Sequence, residues 1–85
     1  MKYFVYILYS KKRDRYYIGY SFNPESRLEE HNLGATKSTR TGSPWILVYT
    51  EDFEDKRSAI HRELEIKKMK NRKYIENLIR TKTVG

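Results

Sequence analysis

The 85-residue sequence has no cysteine, which excludes a disulfide framework and a thiolate metal site and leaves a small domain to stand by packing alone. It also lacks any apolar run approaching the ~20 residues needed to span a bilayer. The apolar stretch near the amino terminus, residues 3–9, is too short for a signal peptide and has no small-residue cleavage site after it. These absences lead to the expectation of a soluble, cytoplasmic protein with no membrane partner. Apolar residues are scarce at 38%, and a chain this short buries only about 60–65% of its unfolded surface. Eight Tyr, three Phe and one Trp offset that scarcity, because each buries a large area from one position. The composition fits a folded domain, with neither an internal repeat nor a second domain.

What is abundant is positive charge. Eighteen Lys and Arg face eleven Asp and Glu, a net charge of +7, and a surplus of that size attracts polyanions. It is spread along the chain: residues 1–44 carry eight basic and four acidic side chains, residues 45–85 ten and seven. Nucleic acid is therefore the leading partner class, although a basic surface kept for solubility has the same composition.

Residues 3–9 are aromatic and β-branched, which predicts a largely buried strand, and residues 16–20 predict a second one after a polar turn. Asn23 and Pro24 have the chemistry of an N-cap and a first helical position, and Gly34 that of a helix stop. Residues 34–44 are small, hydroxylic and carry two cations, Lys37 and Arg40. They predict a surface loop with little part in the core, either a plain connector or a set of phosphate contacts. Residues 45–53 predict a third strand, and Asp55 with Ser58 the start of a long helix. In that helix Met69, Ile66, Ala59, Ile60 and Leu64 fall on one arc. The apolar pairs at 74–75 and 78–79 are rotated from this stripe, so a break is expected near Asn71. The order β-β-α-β-α-α predicts an α+β domain: a three-stranded, mostly antiparallel sheet flanked by about three helices over residues 1–80, with 81–85 a frayed tail.

Glu63 is the residue that a bland reading does not absorb. On the helical projection it lies between Ala59 and Ile60, and a carboxylate on a core-facing stripe must be hydrogen-bonded, paired or metal-bound. Lys67 and Lys70 lie near enough for a structural salt bridge; a lone carboxylate with water and phosphate oxygens is also a way to hold Mg²⁺. Arg27 and His31 sit four apart on one helix face, as surface residues or as a phosphate clamp and a proton carrier. Lys67, Lys68, Lys70, Arg72 and Lys73 form a basic run that is either a phosphate track or a solvated face.

Phe4-Val5-Tyr6, then Tyr17-Ile18-Gly19, Arg27, His31-Asn32 and Glu63 together resemble the GIY-YIG nuclease family over nearly the whole chain, and most of all its small stand-alone bacterial domain proteins. The resemblance implies a metal-dependent endonuclease acting on DNA ahead of RNA, with branched or damaged DNA in view. It implies one Mg²⁺ or Mn²⁺ on Glu63, Arg27 stabilising charge at phosphorus, and Tyr6 or Tyr17 handling water, with His31 an alternative base. Pairing Tyr9 with Tyr16 in a hairpin puts Tyr6 opposite Gly19 and Tyr17 on the same sheet face, and Gly19 leaves room for a phosphate or a neighbouring side chain. Two positions depart from the family pattern: Phe4 replaces the first glycine, and Tyr20 stands where some members carry a basic residue. The chain has none of the separate DNA-binding parts of the family's repair enzymes, so a protein partner could supply its target. The alternative is a nucleic-acid-binding module of the same fold with weak or no catalysis.

Overall fold

A computed structural model describes residues 1–84. The chain runs β1 (Tyr3–Ser10), β2 (Arg15–Ser21), α1 (Pro24–Asn32), a 3₁₀ helix (Lys37–Gly42), β3 (Trp45–Phe53), α2 (Lys56–Met69) and α3 (Arg72–Val84). The sheet order is β2-β1-β3, and both pairings are antiparallel. The expected α+β architecture is therefore the one found.

β1 reads as an unbroken apolar run because, as the central strand, it is covered on both faces. Val5 packs with Ala59 and Ile66 of α2 and is flanked by Ile18, Phe53 and three residues of α3, Tyr74, Ile75 and Leu78. Tyr6 and Leu8 point the other way, into a cluster with Trp45, Tyr17, Leu28 and Leu47. Val5, Ile7 and Leu8 are fully buried, each contributing about 1.5–3 kcal/mol. A bulge between Ile7 and Leu8 shifts the register against β3, so that Ile7 faces Tyr49 and Leu8 faces Leu47.

Helix ends follow the caps written in the sequence. Asn23 Oδ1 accepts from Ser26 N at 3.1 Å and Asp55 Oδ1 from Ser58 N at 2.7 Å. Gly34 takes φ +80 just past α1, and Lys70 takes φ 46 at the end of α2. That left-handed residue produces the expected break and frees α3 to turn its own apolar face to the sheet. The start of α3 is tied to the β1–β2 turn: Arg72 Nη2 meets Asp14 Oδ1 at 2.5 Å, Asp14 accepts from Tyr9 Oη at 2.7 Å, and Arg72 lies 5.3 Å from the Tyr16 ring centre.

Two expectations are corrected. Leu64 is 57% exposed and Met69 is exposed as well; the covered side of α2 is Ala59 and Ile66, with Ile60, Arg62 and Glu63 half-buried beside them, so the docked face is rotated away from the two bulky residues at the edge of the expected arc. α3 runs on through residues 81–84, and Lys82 donates to the Thr50 carbonyl while lying 5.2 Å from the Tyr49 ring centre. Gly85 lies outside the described residues. The segment read as a surface loop is a 3₁₀ helix for part of its length and reaches the interior at two positions. Thr39 and Gly42 are buried, Ser10 Oγ donates to Gly42 O at 2.6 Å, and Trp45 Nε1 donates to Thr39 O at 2.7 Å. Asn32 completes the staple: its amide donates to Trp45 O at 3.1 Å and accepts from Trp45 N at 2.5 Å.

The Trp45 ring is packed closely against Gly42. A Cβ there would lie 2.9 Å from Trp45 Cε2 and 3.2 Å from Ser10 Oγ, and a ring buried in the core has no free direction of retreat. Gly42→Ala is expected to cost about 1–3 kcal/mol, read as a lowered midpoint of thermal or urea unfolding.

Candidate active site

The hairpin register sets Tyr6 opposite Gly19, and the consequence is steric. A Cβ at Gly19 would stand 2.6 Å from Tyr6 Oη and 2.7 Å from its Cζ, so the Tyr6 ring lies across the glycine. β2 is an edge strand, and the missing side chain lets a tyrosine rooted in the central strand carry its hydroxyl to the rim of the sheet. Tyr17, two residues away on the same face, places its ring 6.4 Å from that of Tyr6 and 4.7 Å from that of His31, with Trp45 edge-on at 6.4 Å.

His31 is not a surface residue: its exposure is 0%. A buried imidazole needs partners at both nitrogens, and it has them. Nε2 is 3.2 Å from Tyr6 Oη and Nδ1 is 2.7 Å from Thr39 Oγ1. Burial, reinforced by the nearby Arg27 charge, holds its pKa below the ordinary value of 6.5, so the ring is neutral at pH 7. Burial also raises the Tyr6 pKa, with the facing Arg27 guanidinium opposing the shift; Tyr6 is therefore a phenol, not a resident phenolate.

A cleft of about 460 Å³ opens along β2, and Tyr6, Tyr17, Gly19, Arg27 and Glu63 all line it. Arg27 reaches it from α1, with Nη1 on Glu30 Oε1 at 2.6 Å and its side chain part-exposed, leaving further N–H groups to face the cleft. Glu63 reaches it from α2 across the sheet edge. Its side chain is only 12% exposed, and its one ion-pair partner among the described residues is the half-exposed Lys67, at 3.6 Å. That long contact leaves the carboxylate with acceptor capacity. No group of three or more His, Cys, Asp or Glu that could hold a metal occurs among the described residues, so a caged ion does not fit. A hard ion that keeps most of its waters and uses one carboxylate does fit the donor set.

Of the expected nucleic-acid contacts, Lys67 and Lys70 line a separate groove of about 340 Å³ with Asp14, Arg15, Tyr16 and Arg72. Arg72 has its charge matched by Asp14 and Glu76. Lys68 sits among His61, Leu64 and Glu65, and Lys73 with Glu76, Asn77 and Arg80; the basic run thus fans out on three sides, since the turn at Lys70 separates its halves. Lys37 is exposed on the 3₁₀ helix, and Arg40 donates to Gly34 O at 3.2 Å, away from the cleft lining.

The sequence reading missed Thr39, Lys56 and Phe22. Lys56 lines the cleft from the first turn of α2, where the helix dipole disfavours a cation; that misfit was a legible signal. Phe22, 58% exposed at the rim, and Thr39, whose partner lies eight residues away, gave none.

The chain is similar to known proteins over most of its length. The model of the GIY-YIG catalytic domain matches residues 2–75. A UPF0213 protein of Staphylococcus haemolyticus is 45% identical over 67 residues, 78% of this chain and 80% of the relative. One of Clostridium perfringens is 42% identical over 82 residues, 95% of this chain and 86% of the relative. A solved structure, the solution NMR structure of a UPF0213 protein from Bacillus halodurans, has a TM-score of 0.60 at 35% identity, covering 96% of this chain and 86% of that one.

The lowered pKa of His31 ties stability to pH. Its neutral, buried form contributes fully above the unfolded value of about 6.5, and that contribution is lost as the pH falls through the folded pKa, because the unfolded chain takes up the proton more readily. The urea midpoint of the wild type is expected to drop between about pH 7.5 and about pH 5.5, and His31→Gln to flatten that drop.

Proposed function

The chain belongs to the GIY-YIG catalytic-domain family, a family of nucleases, and on that premise we propose that it is a metal-dependent endonuclease hydrolysing phosphodiester bonds in DNA. The observation that carries the reading is the convergence of Tyr6, Tyr17, Arg27 and Glu63, from four separate elements, on one cleft floored by Gly19.

Each group suits one part of the reaction. Arg27 donates to the non-bridging oxygens of the scissile phosphate and stabilises the charge that builds there as water attacks phosphorus and the ester P–O bond breaks. Tyr6 Oη accepts a proton from the attacking water, and its own hydroxyl proton has a neutral acceptor 3.2 Å away in His31 Nε2. A phenol with a raised pKa works in this role because no free phenolate has to form. Tyr17 orients the water or the phosphate. A Mg²⁺ or Mn²⁺ on Glu63 would supply Lewis-acid neutralisation of the phosphate. Where some family members carry a cation after the second glycine, this chain has Tyr20, and Lys56 brings a positive charge into the same cleft from α2.

The test is a screen of end-labelled duplex, branched and single-stranded DNA, and of RNA, with Mg²⁺ or Mn²⁺. Glu63→Gln should abolish cleavage yet remain folded and bind nucleic acid, since the 3.6 Å pair to a half-exposed lysine contributes little. Tyr6→Phe should lower turnover by ~10²-fold or more, with a stability loss of about 1–3 kcal/mol for stranding His31 Nε2. Tyr17→Phe should melt as the wild type does and lose less activity. An active Glu63→Gln protein would remove the mechanism.

Substrate affinity gives an independent check. Neutralising Lys67 and Lys70 should weaken binding and flatten its salt dependence. Arg72→Ala should leave the salt slope unchanged, because Asp14 and Glu76 already neutralise that charge. Equal slopes for all variants would exclude the second groove as a phosphate track.

A further inference from the structure

Among the described residues Thr39 is the side chain bonded to Nδ1 of His31, and the groups at the two ends of this chain of contacts bear on the direction of its hydrogen bonds. At one end of the chain of contacts stands the Thr36 carbonyl, which can only accept; Thr39 Oγ1 lies 3.3 Å from it and donates. At the other end stands Arg27, which can only donate and which lines the same cleft as Tyr6. Between these two ends each group has one proton to give and one partner on each side. With its hydrogen on Thr36 O, Thr39 Oγ1 must accept from His31 Nδ1, at 2.7 Å. The ring nitrogen left without hydrogen is Nε2, and it accepts from Tyr6 Oη at 3.2 Å. Tyr6 Oη, its proton directed inward, turns its lone pairs to Arg27 and the cleft.

We propose that Thr39 is a positioning residue of the active site: by accepting from Nδ1–H it holds His31 in the tautomer whose Nε2 takes the Tyr6 proton. The inference rests on the nuclease reading for its catalytic consequence and on the hydrogen bonds alone for the tautomer. The opposite tautomer would place a hydrogen on Nε2, direct it at Tyr6 Oη and leave that hydroxyl without an inward acceptor. The rest of the connecting segment serves the same end. Trp45 Nε1 holds the Thr39 carbonyl at 2.7 Å and Ser10 Oγ holds the Gly42 carbonyl at 2.6 Å. With the backbone held in this way, Thr39 Oγ1 keeps its place over the imidazole.

Nitrogen-15 NMR of the His31 ring in the free protein, at a pH where the ring is neutral, reads the tautomer without substrate. The wild type should show hydrogen on Nδ1 and a bare Nε2. Thr39→Val, nearly the same shape without the hydroxyl, should shift the ring toward hydrogen on Nε2. It should also lower turnover at least about tenfold with KM little changed, and Thr39→Ser should restore both. Hydrogen on Nε2 in the wild type, or a serine variant no better than the valine one, would overturn the proposal. Should Thr39→Val fail to fold, the wild-type and serine spectra still decide it. A wild type that shows the expected tautomer but cuts nothing would remove the nuclease reading and leave the role of Thr39 in setting the ring intact.

Discussion

A neutral imidazole sealed from water has to be satisfied at both nitrogens, and in this protein that requirement joins three parts of the chain. His31 comes from α1, Tyr6 from the middle of β1, and Thr39 from the segment that leads into β3. Each unmade bond would cost about 1–3 kcal/mol, a sizeable part of what a small domain has to spare. The pairing therefore fixes how α1 sits on the sheet and why a polar, hydroxyl-rich segment is drawn inward. It also orients Tyr6, which belongs to this buried network and lines the cleft as well.

The second constraint is an absence. Gly19 contributes no side chain, so the Tyr6 ring crosses an edge strand and meets Glu63, which belongs to a helix on the opposite face of the sheet. Residues from the two sides of a sheet do not ordinarily share a site; here the edge of β2 is the place where they can. The other alternation of β2, Tyr16 and Ile18, lines the groove of Lys67 and Lys70, so one edge strand contributes to both clefts.

Much of this was legible in the sequence because it rests on local rules. The hairpin register, the capping residues of α1 and α2, the break before α3 and the placement of Glu63 on a buried face follow from periodicity and cap chemistry. The sequence could not show which side of α2 would dock. Leu64 and Met69 belong to the same arc by hydrophobicity, yet Ala59 sits at the centre of the contact because a small residue lets the helix approach β1. Nor could it show that His31 is buried or that Thr39 reaches it, since both depend on how a segment without periodicity closes over α1. The spread of the basic run was hidden for a related reason: five cations follow one another in sequence, and one left-handed residue at position 70 divides them.

The order of the strands has a kinetic consequence. β1 and β2 pair across a four-residue turn, a closure that is entropically cheap and fast, whereas β1 meets β3 only after a loop of some thirty-five residues has closed. His31 and Thr39 both lie within that loop. The phenol and the glycine of the cleft can therefore come together early in folding, while the imidazole is seated and its ring fixed only when β3 docks. The cleft is thus complete only once the long closure has been made, so the last step of folding is also the one that assembles it.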